Sequence, residues 1–509
     1  MTLFLYYPSD MKYTSIINNQ TIPIGQIPLV SYDEFYELNA GFITDSPEKH
    51  CVNYFGYPIG ERIKLICCIA DDLTHEINVS TCLVNPQDEL TSLTSTLFCF
   101  EKFEREIHEN FGIMFSGHPW LKPVRYSHNR KDLSKTIAGY PFYSIDSDEL
   151  HEVGVGPIHA GVIEPGHFRF ICNGEQILHL EIQLGYQHRG IEALFLNKSK
   201  LAERVAISES IAGDNVVGHT LAFSSVWESL CGFQTSKEMN FSRTVALELE
   251  RIAVHTGDLS AACGDVAYQL GNAVFGRLRT PIVNFLQEWG GNRLAKGLIR
   301  PGKNQFPFTG ELATRLLQVL DAYEPEFNEM NGELFRMPSA LSRFERTGTV
   351  SEETARSVGT VGMIARSSGL SRDIRLSHPH ALYGEINHEP VIKHHGDVYS
   401  RLQVRKEEVR QSVRYLRDLM TRVPECNTNT QPMGQTQPDS FTLSLVEGWR
   451  GEICHCAITG TRGELVMYKV KDPSFHNWLA LALAVRNNEI SDFPICNKSF
   501  NLSYCGHDL

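Results

Sequence analysis

The chain has 509 residues, of which 42% are hydrophobic and 21% charged. That length exceeds one ordinary core and points to two domains, in a composition typical of globular proteins. A formal net charge of −13 and a pI near 5.9 exclude a general nucleic-acid binder, because neutralising phosphates needs a basic face.

The opening stretch, "MTLFLYYPSDMKYTSIINNQ", lacks a basic segment followed by a sustained apolar run, so no secretory signal is expected. Residues 1–126 alternate short β-branched runs, "RIKLICCIA" and "INVSTCLV", with "LTSTLFCFEKFEREIHENFGI", whose charges recur at helical spacing. This predicts a small α/β domain. The polar stretch beginning "SHNRKDLSKTIAGYPFYSIDSDEL", with Pro141 and no clean periodicity, predicts a linker over 127–150.

In "FRFICNGEQILHLEIQL" two strand-like runs flank Asn-Gly, a strong hairpin signal. About two hundred residues of helical character follow. Within them "SRTVALELERIAVHTGDLSAACGD" aligns Val245, Leu249, Ile252 and Leu259 on one apolar stripe, with Ser242 as the expected N-cap. The polar "PECNTNTQPMGQTQPDS" predicts an exposed excursion, and "FTLSLVEGWRGEICHCAITG" a return to strands with a turn at "GTRGE". The longest apolar runs, "LICCIA" and "WLALALAV", fall well short of the ~20 residues that span a bilayer. The expected location is therefore cytoplasmic, with docking on a membrane partner left open.

The thirteen cysteines include no CxxC pair, and neither Cys67–Cys68 nor Cys454–Cys456 has the spacing of a four-cysteine zinc or iron–sulfur site. Without a secretory signal they read as small buried hydrophobes rather than a disulfide framework.

Four blocks carry a family resemblance: "VGPIHAGVIEPGHFRF", "LEIQLGYQHRGIEALF", "LELERIAVHTGDL" and "VEGWRGEICHCAITGTRGELVMYKVKDPSFHNW". In this order they resemble the large subunit of energy-converting nickel–iron hydrogenases of the formate hydrogenlyase and hydrogenase-4 type. That subunit is itself similar to the 49-kDa-type subunit of respiratory complex I. Upstream, "FEREIHENFGIMFSGHPWLKPVRY" resembles the 30-kDa-type subunit, which is fused to the large subunit in such complexes. The resemblance implies an α+β fold. A 30-kDa-like α/β domain would occupy 1–126, and a mostly helical large-subunit domain with flanking β-sheet elements 151–509.

Several residues stand out in these blocks. The Gly- and Pro-rich loop before the hairpin carries His159, Glu164 and His167, and titratable groups on a rigid loop are where function tends to sit. The resemblance puts Glu164 where hydrogenases relay protons; the other reading is a partly solvated loop carboxylate. Arg189 and Glu192 stand at i,i+3 and could pair on a helix surface. By resemblance Glu192 would help hold a magnesium ion or lie near a quinone cavity. Arg366, in a Gly- and Ser-rich stretch with Arg372, Asp373 and Arg375, is expected either to face the family's central cavity or to sit in a salt-bridged loop.

The pattern breaks at the metal. Nickel–iron hydrogenases hold nickel through two cysteine pairs, soft thiolates suited to that ion. Anchored on His219, the early pair falls on Ala212 and Asn215, with Asp214 between them. Near the end Cys496 can stand for one thiolate while Ser499 replaces the other, and Cys505 reads as an ordinary thiol. Losing three ligands of four removes most of the binding free energy, so no nickel–iron centre is expected; Cys496 and Glu192 are the residual metal candidates. A complex I-like quinone site is not supported either, since the histidine position falls on Pro165 with His167 displaced by two, although another quinone pose near His159 and His167 stays open.

The expectation is a nickel-free large subunit of a complex I-like oxidoreductase assembly, peripheral on the cytoplasmic side of the inner membrane. It would couple electron transfer or a conformational change to proton or ion translocation. Its cavity would be lined by Glu164, Asp214, His219 and Arg366. The resemblance implies, as partners, membrane-arm subunits and a small subunit that holds a [4Fe–4S] cluster. A catalytically silent scaffold and a quinone-reducing subunit are the alternatives.

Overall fold

The computed structural model describes residues 11–159, 163–425 and 432–509. The fold is α+β, with small, mainly antiparallel sheets towards both ends of the chain and a helical body between them.

The chain enters through β1 (Thr14–Ile17) and β2 (Thr21–Pro23), continues through β3 (Leu29–Val30), and then lays down β4 (Lys49–Ile59), β5 (Arg62–Asp71) and β6 (Glu76–Val84). The sheet order is β1-β6-β5-β4, with β3 parallel on β6. Side chains alternate faces along a strand, so β5 serves two cores. Ile63, Leu65, Cys67 and Ile69 pack under α1 (Tyr32–Asp45) and α2 (Glu101–Phe111), while Ile66, Cys68 and Ala70 face the C-terminal sheet. Helix α1 starts at a Ser31–Glu34 capping box, and α2 stops at Gly112 in the left-handed conformation. A short parallel pair, β7 (Glu89–Thr91) and β8 (Met114–Ser116), flanks α2.

Residues 127–150 contain one short 3-10 turn, Ile137–Gly139, and are largely exposed. They lead into β9 (His151–Val155), β10 (His167–Asn173) and β11 (Gln176–Gln183), an antiparallel sheet whose last two strands turn at Gly174, with φ +56°. This is the Asn-Gly hairpin.

The helical body runs through α3 (Ile191–Asn197), α4 (Leu201–Ser208), α5 (Val216–Leu230), α6 (Lys237–Asp265) and α7 (Gln269–Gly290). After the small hairpin β12 (Ile299–Arg300) and β13 (Lys303–Asn304) come α8 (Gly310–Leu334), α9 (Pro338–Phe344), α10 (Glu352–Ser357), α11 (Gly362–Ser367), α12 (Ile374–Ser377) and α13 (Val398–Met420). The main core lies between α6, α7, α8 and α13, and Val245, Leu249, Ile252 and Leu259 all point into it. The helix starts earlier than its apolar stripe suggested. Its N-cap is Ser236, whose side chain accepts the Met239 N–H, and Ser242 lies one and a half turns inside.

The C-terminal part forms β14 (Ser440–Glu447), β15 (Glu452–Thr459) and β16 (Leu465–Lys471), then α14 (Pro473–Ala484), α15 (Phe493–Phe500) and α16 (Tyr504–Asp508). The "GTRGE" turn joins β15 to β16 with Gly463 at φ +80°. Strand β2 from the start of the chain completes this sheet alongside β14. Part of the polar excursion before it, 426–431, lies outside the described residues. Among the described residues the cysteines are unpaired thiols, buried except for the half-buried Cys231 and Cys505. No helix among them is long and apolar enough to cross a membrane.

Candidate functional site

The turn Ile211–Asn215 between α4 and α5 faces the C-terminal helix α16, and the candidate site is built where they meet. Asn215 occupies the N-cap of α5 but makes no capping bond. That work is done from α6 by the buried Glu250, whose carboxylate accepts the Val217 N–H at 2.8 Å and the Gly218 N–H at 3.3 Å. Burial pushes Glu250 up to about 8, against those two hydrogen bonds. The carboxamide of Asn215 is fully buried, with neither polar atom bonded to protein. It lies so close to Gly218 and Gly448 that a Cβ there would come within 2.7 and 2.8 Å of its oxygen, so a larger residue at either position would displace the carboxamide.

Asp214 is paired. Its carboxylate, 41% exposed, meets Arg450 Nη2 at 2.6 Å, and Arg450 is itself only 1% exposed. The same guanidinium donates through Nε to the Asn501 carbonyl at 2.7 Å and stacks on Trp449, whose indole N–H donates to the Asp214 carbonyl at 2.7 Å. Arg450 therefore ties the early turn to the C-terminal segment.

That segment is arranged by its own caps. Helix α15 ends at Asn501 in the left-handed conformation, and α16 restarts at Ser503, whose hydroxyl accepts the Gly506 N–H. Glu164, on the loop before β10, accepts the Tyr504 and Cys505 N–H groups at 3.2 and 3.4 Å. Asp508 accepts the N–H groups of Gly185 and Gln187, while Arg189 donates to the carbonyls of Ser210, Ile211 and Cys505. The block "LGYQHRG" is thus the cradle of the last helix. Arg189 does not pair with Glu192, because its side chain is drawn to these carbonyls; Glu192 instead meets Lys469 at 3.1 Å and the Val470 N–H at 3.0 Å.

Beneath α16 lies a chain of four buried groups. A Cβ on Gly506 would come 2.7 Å from the Asp472 carboxylate, so the helix rests directly on that residue. Asp472 caps α14 through the Ser474 N–H and meets His219 Nε2 at 2.9 Å. His219 Nδ1 is 3.1 Å from His455 Nε2, and His455 Nδ1 is 2.8 Å from the Tyr468 hydroxyl. All four side chains are fully buried. The carboxylate only accepts, so His219 carries its proton on Nε2 and accepts at Nδ1 from His455, which in turn accepts from Tyr468. Burial alone would raise Asp472; the hydrogen bond from His219 and the charge of Arg450 outweigh it and hold the carboxyl at about 2. Burial drives His455 well below the ordinary imidazole range and Tyr468 well above the ordinary phenol range.

The predicted residues are thus only partly brought together. Glu164 and Asp214 flank α16 and His219 lies below it, but Arg366 belongs to a separate buried cluster. It meets Glu408 and Glu447 at 2.7 Å each and Asp373 at 3.5 Å; the arginine at Asp214 is Arg450. Cys496 packs in apolar surroundings near Arg401, where burial pushes its thiol up to about 11. The cysteine beside Glu164 is Cys505, driven up to about 12 by burial and by that carboxylate. His159 and His167 each bond a carbonyl of their own loop, Gly166 at 2.8 Å and Gly156 at 3.0 Å. Sequence reasoning missed Asp472, His455, Tyr468 and Arg450. The available signal was polar residues at inward positions of the apolar strands β15 and β16, and an Asp-Pro opening a helix.

Comparisons with known proteins agree with this architecture. Residues 271–441 match the family of the 49-kDa subunit of respiratory-chain NADH dehydrogenase, and residues 39–141 that of its 30-kDa subunit. Hydrogenase-4 component G of Escherichia coli is 26% identical over 418 residues, covering 79% of this chain and 72% of the relative. Formate hydrogenlyase subunit 5 of the same organism is 27% identical, covering 79% and 74%. The NADH-quinone oxidoreductase C/D subunit of Phocaeicola vulgatus is 26% identical, covering 81% and 85%. The chain belongs with the fused 30-kDa and 49-kDa-type subunits of hydrogenase-related and NADH-quinone oxidoreductase complexes.

Proposed function

We propose that the chain is a nickel-free large subunit that handles protons within a complex I-like membrane oxidoreductase assembly, coupling electron transfer or a cavity rearrangement to ion translocation. The observation that carries this reading is the chain Asp472–His219–His455–Tyr468 beneath the 212–215 turn. Every link is an acid or base in hydrogen-bond contact with the next. A proton taken up by the Tyr468 oxygen lets Tyr468 pass its own to His455 Nδ1, His455 its Nε2 proton to His219 Nδ1, and His219 its Nε2 proton to Asp472. Each bond thereby reverses its donor direction, and the proton ends on the carboxylate without moving heavy atoms.

The residues at the turn do not fit nickel. Ala212 offers a methyl group, Asn215 a hard carboxamide, and Cys505 a thiol held in its protonated form. Among the described residues no three His, Cys, Asp or Glu side chains are grouped as a metal site. In this reading the electron carrier, a [4Fe–4S] cluster, sits in a small partner subunit, and the chain docks peripherally on the cytoplasmic face of a membrane arm. His159 and His167 each spend one ring nitrogen on a carbonyl of the Glu164 loop, and the buried Nε2 of His167 has no partner; no quinone contact is assigned to either.

The test is ion transport by the intact complex in sealed vesicles. Glu164→Gln and Asp214→Ala, assembled to the normal level, should each lower transport at least severalfold. Unchanged transport in both would leave the chain a silent scaffold and overturn the proposal.

A further inference from the structure

A second polar centre lies in the interior, apart from the α16 pocket. Three guanidiniums converge there: Arg251 from α6, Arg366 from α11 and Arg375 from α12. Four carboxylates face them, Glu248 from α6, Asp373 at the head of α12, Glu408 from α13 and Glu447 at the end of β14. All seven side chains are buried.

The contacts are unequal. Glu408 touches all three arginines, at 2.7 Å from Arg366 and 3.4 Å from Arg251 and Arg375, and His255 at 2.9 Å. Asp373 holds Arg375 through two bonds and also meets His388 at 3.0 Å and Arg366 at 3.5 Å. Glu248 lies 3.6 Å from Arg251 and 3.9 Å from Arg375 and accepts the hydroxyls of Tyr383 and Ser412. Glu447 has Arg366 at 2.7 Å, a guanidinium already shared with Glu408 and Asp373, and otherwise only the Ile374 N–H at 3.2 Å. His380 accepts the Glu447 backbone N–H and leaves the carboxylate alone.

We propose that this cluster is a proton-loading site, in which Glu447 carries one exchangeable proton because three buried guanidiniums can balance only three of the four buried carboxylates. An uncompensated charge in such an interior costs far more than protonating the carboxylate that is least well held. The nearby histidines do not supply the missing positive charge, since burial lowers His255, His380 and His388 alike. Burial likewise pushes Glu447 up to about 7 against the pull of Arg366, while the three arginines hold Glu408 well below the ordinary range. The neighbouring Glu250 also feels the charge of Arg251, but its carboxyl is engaged by the Val217 and Gly218 N–H groups and burial pushes it up to about 8. The site needs neither a metal nor a partner subunit, so its test is independent of the transport reading.

The experiment is pH-difference infrared spectroscopy of the full-length chain, following the carbonyl stretch of neutral carboxylic acids and its shift in heavy water. The wild type should show a neutral-acid signal titrating near neutral pH that loses the amplitude of one carboxyl in Glu447→Gln, while the Glu250 signal at about pH 8 persists. Glu248→Gln keeps an acceptor oxygen for one of the Tyr383 and Ser412 hydroxyls, turns an amide N–H towards the other, and leaves three carboxylates for three arginines. The Glu447 band should then move to lower pH although Glu447 is still present. This second variant also carries the test if Glu447→Gln does not fold. A neutral-pH band unchanged in Glu447→Gln, or one whose midpoint stays put in Glu248→Gln, would overturn the proposal.

Discussion

Individual residues set the chemistry here mainly through burial. Glu250 is the clearest case, because its carboxyl is raised to about 8 when folded from an ordinary value near 4.5. Below pH ~4.5 both folded and unfolded chains hold this proton, and the group contributes nothing to the balance. As the pH rises from there to about 8, the unfolded chain gives the proton up while the folded one keeps it. Stability therefore falls, by at most about 1.4 kcal/mol per pH unit, and levels off above that window. Glu250→Gln should remove this slope, so that its stability relative to the wild type, measured by denaturant unfolding, climbs steadily across the same range. Parallel curves would mean that Glu250 is ionised in the folded protein. At this scale Glu164 and His219 were legible, because each sits in a short block of distinctive residues. The partners of His219 were not, since Asp472 and His455 lie more than two hundred positions away and meet it only through the pairing of β14, β15 and β16.

At the scale of elements, the early turn and the last helix are clamped by Arg450. It bridges the Asp214 carboxylate and the Asn501 carbonyl, the two stretches that the family resemblance would join through a metal. Asp214→Ala leaves Arg450 buried without its carboxylate, and the cost should exceed the ~1 kcal/mol of an exposed pair. Hydrogen exchange is the direct readout. Amides of residues 501–509 should lose protection in Asp214→Ala and in Arg450→Ala, while those of α13 stay protected. Equal protection in all three proteins would show that the cradle formed by Gly185, Gln187 and Arg189 holds α16 unaided. The surroundings of Cys496, the residual metal candidate, and of Cys505 are also set at this scale. Spacing along the chain favoured Cys496, but the left-handed Asn501 ends α15 and turns the chain back, so that Cys505 reaches Glu164. The start of α6 was misplaced for a related reason: the apolar stripe marks where a helix is buried, whereas Ser236 begins it on a more exposed turn.

In the whole molecule the two ends of the chain share a core. Strand β2 completes the C-terminal sheet, and Val52, Ile66 and Cys68 pack against Phe441, Leu443 and Cys454. Buried charges cross the same boundary: Glu452 joins His50 at 2.7 Å, and Glu106 joins Lys469 at 2.6 Å. The Asn-Gly hairpin, the helical body and the late return to strands could be read from periodicity and turn residues, and the α+β class from the family resemblance. This intimacy could not, because strand pairing across four hundred residues leaves no local trace. Among the described residues, buried ionisable groups gather beneath α16 and around Arg366, and the proposed reading is that the 211–215 turn holds no nickel. The most direct test of that claim is nickel content, quantified per chain in the intact complex purified from cells grown with ample nickel. The account predicts a level indistinguishable from the buffer blank in a preparation that still holds its partner subunits. One nickel per chain, retained through purification, would contradict it.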